Sequence, residues 1–217
     1  MTVPEITAHE RPILFSGPMV SALLARTKTQ TRRVVKHKWP YLWQEPYYPT
    51  GRVLTDLVNQ PGAFMEFRTR MQDEPGYHGS TASTLVDCPF GRPGDRLWVR
   101  ETYAPVTVGY AYAADPIWNP ASRPPWKWRP SIHMPRAACR LVLEITDVRV
   151  ERLGDISEAD ALAEGIVPTY GGFGLPGGEH YHAADPRQSF LSLWEAVYGE
   201  GSVMANPWVW AVTFKPL

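Results

Sequence analysis

The stretch R-L-V-L-E-I-T-D-V-R-V at residues 140–150 is the strongest strand signal in the chain and decides the predicted fold. Its apolar side chains alternate but change parity halfway, with Leu141, Leu143 and Ile145 followed by Val148 and Val150. A bulge or turn near Thr146-Asp147 is needed to keep both sets on one buried face. Because a bulge bends its strand, the stretch predicts a strongly curved or closed sheet.

Other strands are predicted on both sides of this stretch. β-branched residues are frequent at positions 27–35, which follow a short helix. The turn Pro93-Gly94-Asp95 opens a strand at residues 96–103, and a shorter strand is predicted at residues 110–113. The last strand, at residues 208–214, places its large apolar side chains on one side, namely Trp208, Trp210, Val212 and Phe214.

Two short helices have clear start and stop signals. The first is predicted at residues 18–25, with a cap at Ser16 or Gly17 and an apolar stripe of Val20, Leu23 and Leu24. The second begins after the cap Ser157, with Asp160 at the capping-box position. Gly165 ends this second helix and thereby places Glu164 in its last turn.

A third helix is predicted to begin at Asp185-Pro186 and to end before Gly199, with an apolar face of Phe190, Leu191, Trp194, Val197 and Tyr198. The predicted elements do not alternate as βαβ units, which favours the α+β class. We expect a small, curved β-barrel of mostly antiparallel strands with short flanking helices. Residues 1–217 are predicted to form a single domain with long insertions at about 36–92, 114–130 and 167–184.

Charge and hydropathy limit the possible partners. Lys plus Arg and Asp plus Glu both number 22, so no bulk positive field favours nucleic acid, and any such partner must be bound locally. No apolar run approaches the roughly 20 residues of a membrane helix. Residues 1–11 lack the apolar core of a signal peptide. The sequence therefore predicts a soluble, cytoplasmic protein with no membrane partner.

Metal and disulfide signals are weak. Cys88 and Cys139 lack the paired Cys-x-x-Cys spacing of a zinc site, and we expect both to be reduced and structural. His180 and His182 form a His-x-His pair with no carboxylate or Cys at a matching spacing, which favours an ordinary loop pair over a metal site. We expect neither a metal nor a cofactor.

The segment Lys28-Thr29-Gln30-Thr31-Arg32-Arg33 carries the strongest functional signal. An ammonium, two hydroxyls and two guanidiniums crowd into six residues near a helix-to-strand turn. Such a cluster is expected to face water, an anion or a substrate with polar edges. The ordinary alternative is a solvated surface strand, in which none of these side chains has a specific function.

The chain resembles the ASCH superfamily in three motifs that occur in the same order. They are the helix followed by Lys28-Thr29-x-Thr31-x-Arg33, the turn Pro93-Gly94-Asp95, and the helix at residues 157–165. Residues 93–101 and 128–135 also resemble phage-associated ASCH proteins. This resemblance implies a barrel similar to the PUA domain. The match comes from the ordered combination, because each motif alone is weak.

Some small ASCH proteins are amidohydrolases that release the acyl group from N4-acetylcytidine. The resemblance implies catalytic roles for Lys28, Thr31 and Glu164, which match a Lys, a Thr three positions later and a Glu in the late helix. The family often has Gly two residues before the Lys, where this chain has Arg26, and we expect Arg26 to crowd the turn. The candidate substrate-binding residues are Arg33, Trp98, Arg100, Ser131 and His133.

Amide hydrolysis requires a nucleophile, a proton acceptor and donors to the oxyanion. Thr31 would attack or position a water, and Lys28 would act as a base only if its pKa were lowered. Glu164, at the unfavourable end of a helix dipole, either pairs with Lys28 and keeps it charged or stays protonated and donates. Each of the three residues also has an interpretation without a catalytic role. Lys28 would then be a solvated turn cation, Thr31 a strand hydroxyl and Glu164 an exposed helix residue.

The predicted function is an amidohydrolase-like enzyme acting on an acylated or modified nucleoside or base. One alternative is a non-catalytic binder of RNA or of a modified nucleobase, and another is an RNA-cleaving ASCH protein. The same concave polar site would serve any of these functions. The sequence does not give the oligomeric state.

Overall fold

The computed structural model describes residues 8–36, 47–57, 60–69, 83–115, 117, 124, 126–176 and 179–217. In this part of the chain the helices are α1 (Gly17–Leu24), α2 (Glu158–Ala163) and α3 (Pro186–Tyr198). The strands are β1 (Glu10–Leu14), β2 (Gln30–Val34), β3 (Tyr47–Leu57), β4 (Gln60–Thr69), β5 (Ser83–Asp87), β6 (Arg96–Arg100), β7 (Tyr103–Pro105), β8 (Tyr110–Tyr112), β9 (Val142–Arg152), β10 (Val167–Thr169), β11 (Gly172–Gly174) and β12 (Trp208–Pro216).

The main sheet has five strands in the order β1-β6-β9-β12-β2. β1 runs parallel to β6, whereas the other neighbouring strands are antiparallel. The sheet is therefore mixed, and its two longest strands, the central β9 and its neighbour β12, pair with each other. Both contribute heavily to the core, as the alternation in residues 140–150 and 208–214 predicts.

The predicted bulge in β9 is confirmed. Thr213 of β12 lies opposite Asp147, but the next residue, Phe214, lies opposite Ile145, so Thr146 is the extra residue on β9. Thr146 and Asp147 are exposed, while Leu143, Ile145, Val148 and Val150 are buried. The extra residue corrects the change of parity, because it returns the second apolar set to the core side.

The prediction of a closed, PUA-like barrel is wrong. The chain is α+β, with the mixed five-stranded sheet, smaller sheets and three helices, and no closed barrel is found among the described strands. β1 and β2 are the edges of the sheet, and a side chain links them, since Arg33 Nη2 donates to the Leu14 carbonyl at 2.6 Å. Curvature from one bulge does not by itself pair the two edge strands, which closure requires.

Smaller sheets occupy parts of the predicted insertions. β3, β4 and β5 form a three-stranded antiparallel sheet within 36–92, where no regular structure is predicted. β10 and β11 form a hairpin within the predicted glycine-rich loop at 167–184. Of the insertion at 114–130, residues 116, 118–123 and 125 lie outside the described residues.

Side-chain caps begin α2 and α3 as predicted, whereas Ser16, the N-cap residue of α1, makes no capping hydrogen bond through its side chain. The Ser157 hydroxyl accepts from the Asp160 N–H at 3.1 Å, and the Asp185 carboxylate accepts from the Arg187 N–H at 2.8 Å. The predicted apolar stripes are only partly buried. Leu24 of α1 is 41% exposed, and Val197 and Tyr198 of α3 are 61% and 38% exposed. The last turn of α3 therefore presents apolar surface beyond what the core covers.

The main core joins α1, the central sheet and α3. Its buried members include Val20 and Leu23 of α1, Trp210 of β12, and Phe190 and Trp194 of α3. Cys88 lies in the same core, and burial raises the pKa of its thiol to about 11, while Cys139 is half-buried and both cysteines are free. None of the helices in the described residues is long and apolar enough to cross a membrane.

Candidate functional site

The turn between α1 and β2 fixes the backbone of Lys28. The backbone N–H groups of Thr27 and Lys28 both donate to the Ala22 carbonyl, at 2.9 and 3.2 Å. Arg26 makes this turn possible with a left-handed backbone, φ 58°, and its side chain is exposed. The expected crowding by the Arg26 side chain is therefore not observed. Instead, the left-handed backbone explains why glycine suits this position.

Glu164 is held by the end of α2. It is the C-cap residue, and its N–H donates to the Asp160 carbonyl at 2.9 Å. Gly165 follows with φ +100°, and a Cβ there would lie 3.4 Å from Cβ of Lys28. The backbones also bond directly, because the Thr29 N–H donates to the Ala163 carbonyl at 2.8 Å. The α1–β2 turn and the end of α2 therefore pack as one unit.

Lys28 and Glu164 form a buried ion pair. Lys28 Nζ donates to Glu164 Oε2 and to the Glu164 backbone carbonyl, both at 2.7 Å. Lys28 is 1% exposed and Glu164 is 3% exposed. The ammonium also lies at the carbonyl end of α2, where the helix dipole favours a cation. Of the two possibilities that the sequence leaves open for Glu164, the structure contains the pair with Lys28.

Arg32 extends this pair into a charge network. Its Nη1 donates to Glu164 Oε1 at 3.3 Å and to Gln30 Oε1 at 2.6 Å. Its Nε donates to Glu151 Oε1 at 2.8 Å, and its Nη2 lies 3.2 Å from Asp160 Oδ2. Both carboxylate oxygens of Glu164 are therefore engaged by buried cations. Such a network needs every partner, because a buried charge left alone is strongly unfavourable.

The pKa of Lys28 lies below its ordinary value of 10.5. The largest cause is burial, which removes water from the ammonium and favours the neutral amine. The charge and hydrogen bond of Glu164 oppose this effect, whereas the positive charges of Arg33 and Arg32 add to it. Burial outweighs the pairing with Glu164, so the amine form becomes accessible at lower pH than for a solvated lysine.

These residues open onto a pocket of about 120 Å³, here called the α1–α3 pocket. Its polar lining consists of Ser16, Lys28, Thr31, Arg32, Arg33 and Glu164. Thr31 is 3% exposed, and no hydrogen bond joins its hydroxyl to another residue of the described chain. The structure thus brings Lys28, Thr31, Glu164 and Arg33 to one pocket, although Lys28 and Glu164 are 136 residues apart in the sequence.

Aromatic side chains provide much of the remaining lining of this pocket. Phe15 follows β1, and α3 contributes Phe190, Trp194 and Tyr198. The Trp194 and Tyr198 rings are stacked, with their centroids 4.2 Å apart. The sequence predicts the α3 aromatics only as part of an apolar helix face and predicts no role for Phe15. The available signal was the length of the apolar face of α3, which continues to Tyr198, directly before the stop at Gly199.

The other candidate binding residues do not line this pocket. Arg100 lies over the Trp98 ring at 5.4 Å and donates through Nη2 to the Ile132 carbonyl. Ser131 and His133 belong to a short 3₁₀ helix, and His133 is exposed. A substrate-binding role for these four residues stays a prediction, and it would involve a different surface from that of Lys28.

The described residues contain no group of three or more His, Cys, Asp and Glu side chains arranged to hold a metal ion. No protein-family model matches the chain, and no curated protein or solved structure is significantly similar to it.

The left-handed backbone of Arg26 predicts that Arg26→Gly stabilises the protein. The substitution relieves a backbone conformation that L-residues adopt at a cost, and we expect an increase of about 0.5–1 kcal/mol in unfolding free energy. Ala25→Gly is the matched control, because Ala25 has φ −75° and gains nothing from glycine. Urea denaturation measures both variants, and equal destabilisation by the two would contradict this explanation.

The buried pair predicts a large cost for Glu164→Gln, which keeps the shape of the side chain and removes its charge. We expect a loss of about 3–5 kcal/mol in unfolding free energy, because Lys28 loses its carboxylate partner at a buried position. Adding Lys28→Met should recover at least about 1 kcal/mol of that loss.

The control for this cycle is Glu144→Gln, in the partly exposed pair that Glu144 forms with Lys215 at 3.2 Å. We expect this change to cost less than about 1 kcal/mol. Additive losses from Lys28→Met and Glu164→Gln, measured by denaturation, would show that the two side chains are not coupled.

Proposed function

We propose that the α1–α3 pocket binds a nucleoside whose exocyclic amine is acylated and hydrolyses the amide bond. The observation that carries this proposal is the meeting of Lys28, Thr31 and Glu164 in one open pocket. The motif resemblance to ASCH amidohydrolases implies catalytic roles for the same three residues. The proposal thus has two independent supports: the place of these side chains in the pocket and the resemblance of the motifs.

The aromatic lining suits a planar ligand. Phe15, Phe190, Trp194 and Tyr198 provide ring surface, while Lys28, Thr31 and Arg33 provide polar groups in the same pocket. Nucleobases have flat faces that stack on aromatic rings and edges that form hydrogen bonds. A modified base therefore matches the pocket better than a purely apolar or purely charged ligand.

In the proposed reaction the Thr31 hydroxyl adds to the carbonyl carbon of the acyl group. The C–N bond then breaks, the exocyclic nitrogen takes a proton and leaves as the free amine, and the acyl group remains on Thr31 as an ester. Water cleaves this ester and releases the carboxylic acid with the hydroxyl restored. If Thr31 instead positions a water, the same products form in one addition and one cleavage.

Lys28 has two roles open to it in this scheme. As an ammonium it has a third N–H besides the two that Glu164 accepts, and this donor would stabilise the oxyanion of the tetrahedral intermediate. As an amine, which its lowered pKa favours, it would accept the Thr31 proton. Glu164 is a positioning residue in both cases, because it fixes the Lys28 nitrogen.

Non-catalytic binding of a modified nucleobase is the second candidate. The observation that favours it is the hold of Glu164 on Lys28, since the two acceptors at 2.7 Å stabilise the ammonium form and so oppose the effect of burial on the Lys28 pKa. Under this function the pocket would bind the same ligands without cleaving them. Turnover therefore distinguishes the two functions, and binding alone does not.

The hydrolytic proposal predicts release of cytidine from N4-acetylcytidine by the purified protein. Thr31→Val removes the hydroxyl and keeps the shape, and we expect it to reduce kcat/KM by at least about 100-fold. Chromatographic separation of cytidine from the substrate measures the rate directly.

Thr29→Val is the matched control, because Thr29 lies two residues away, is exposed and does not line the pocket. Its kcat/KM should stay within about twofold of the parent value. Binding without turnover by the parent protein would favour the second candidate. Turnover that Thr31→Val leaves unchanged would remove Thr31 from the mechanism.

A further inference from the structure

Arg33 differs from the other cations of the α1–α3 pocket. Lys28 is paired with Glu164, and Arg32 is paired with Glu151, Asp160 and Glu164. No carboxylate of the described residues forms an ion pair with Arg33, which is half-buried. Its positive charge therefore lies in the pocket without a compensating acid.

The Arg33 guanidinium is also held in position with donors to spare. It lies over the Phe15 ring at 5.3 Å, and Nη2 donates to the Leu14 carbonyl at 2.6 Å. Its Nε is buried and has no hydrogen-bond partner among the described residues. An arginine side chain has five N–H donors in a rigid planar arrangement, so a fixed guanidinium with few partners is preorganised for an anion.

The rest of the polar lining adds to this preference. Glu164 is the carboxylate that lines the pocket, and both of its oxygens already accept from Lys28 and Arg32. The pocket thus offers a cationic ligand no free carboxylate. An anionic ligand instead meets an unpaired guanidinium beside aromatic rings.

We infer that the ligand of this pocket is a planar base that carries an anionic group, a phosphate or a carboxylate, and that Arg33 binds this group. The inference rests on the proposed function only for the location of the ligand. A guanidinium binds either anion with two parallel hydrogen bonds, and such charge-assisted bonds are about twice as strong as neutral ones. Arg33 would therefore determine specificity without taking part in bond cleavage.

The test compares ligands that differ by the anionic group alone, with binding measured by calorimetry at low salt. Cytidine 5′-monophosphate against cytidine tests the phosphate, and orotate against uracil tests the carboxylate on the ring. We expect the anionic member of at least one pair to bind about tenfold or more tightly. The pair that shows the gain identifies the anion.

Arg33→Gln should abolish this preference, so that the two members of the pair bind within about twofold of each other, while Arg33→Lys should keep part of it. Arg26→Gln is the control, because it removes an exposed positive charge nearby that does not line the pocket, and the preference should persist. Circular dichroism of each variant checks that the fold is retained.

Equal binding within both pairs, no binding of any of the four ligands, or a preference that survives Arg33→Gln would overturn the inference. Because none of these ligands carries an acylated exocyclic amine, the result does not depend on the proposed hydrolysis. A protein that prefers the anionic ligand through Arg33 but does not cleave N4-acetylcytidine would retain the inference and lose the proposed reaction.

Discussion

The contact on which the site depends is the bond between the Lys28 ammonium and the end of α2. The Lys28 nitrogen donates to a helix carbonyl and to a carboxylate, both of Glu164 and both at 2.7 Å, and both residues are almost fully buried. Isolated buried charges are costly, so the pairing constrains where the α1–β2 turn and α2 lie relative to each other. Gly165 permits the close approach that this contact requires, since a Cβ would crowd Ala22 and Lys28.

This constraint also shapes the pocket. Lys28 and Arg32 form ion pairs with Glu164, Glu151 and Asp160. Arg33 remains the lining cation without an acidic partner in the described chain. The apolar side of the pocket comes from α3, whose apolar face extends past the core to Tyr198. The charged side chains that stabilise the fold therefore also line the pocket in which we propose that the ligand binds and reacts.

Local features of the fold were predictable from the sequence, and non-local ones were not. The bulge at Thr146, the cap Ser157 and the helix stop at Gly165 each depend on a few neighbouring residues, and each prediction is confirmed. The parallel pairing of β1 with β6 joins segments about 85 residues apart, and closure, which is not found among the described strands, would pair the two edge strands β1 and β2. The alternation of apolar residues specifies neither pairing. Likewise, the motif placed Lys28 and Glu164 at element ends, but their pairing and the role of the α3 aromatics required the packed structure.

A crystal structure of the protein with N4-acetylcytidine tests the central claim most directly. The account predicts Lys28 Nζ within hydrogen-bond distance of both Glu164 acceptors and the base in the α1–α3 pocket, with its acyl carbonyl beside Thr31. A Lys28 side chain turned to solvent, or a base bound on another surface with this pocket closed by apolar side chains, would contradict it.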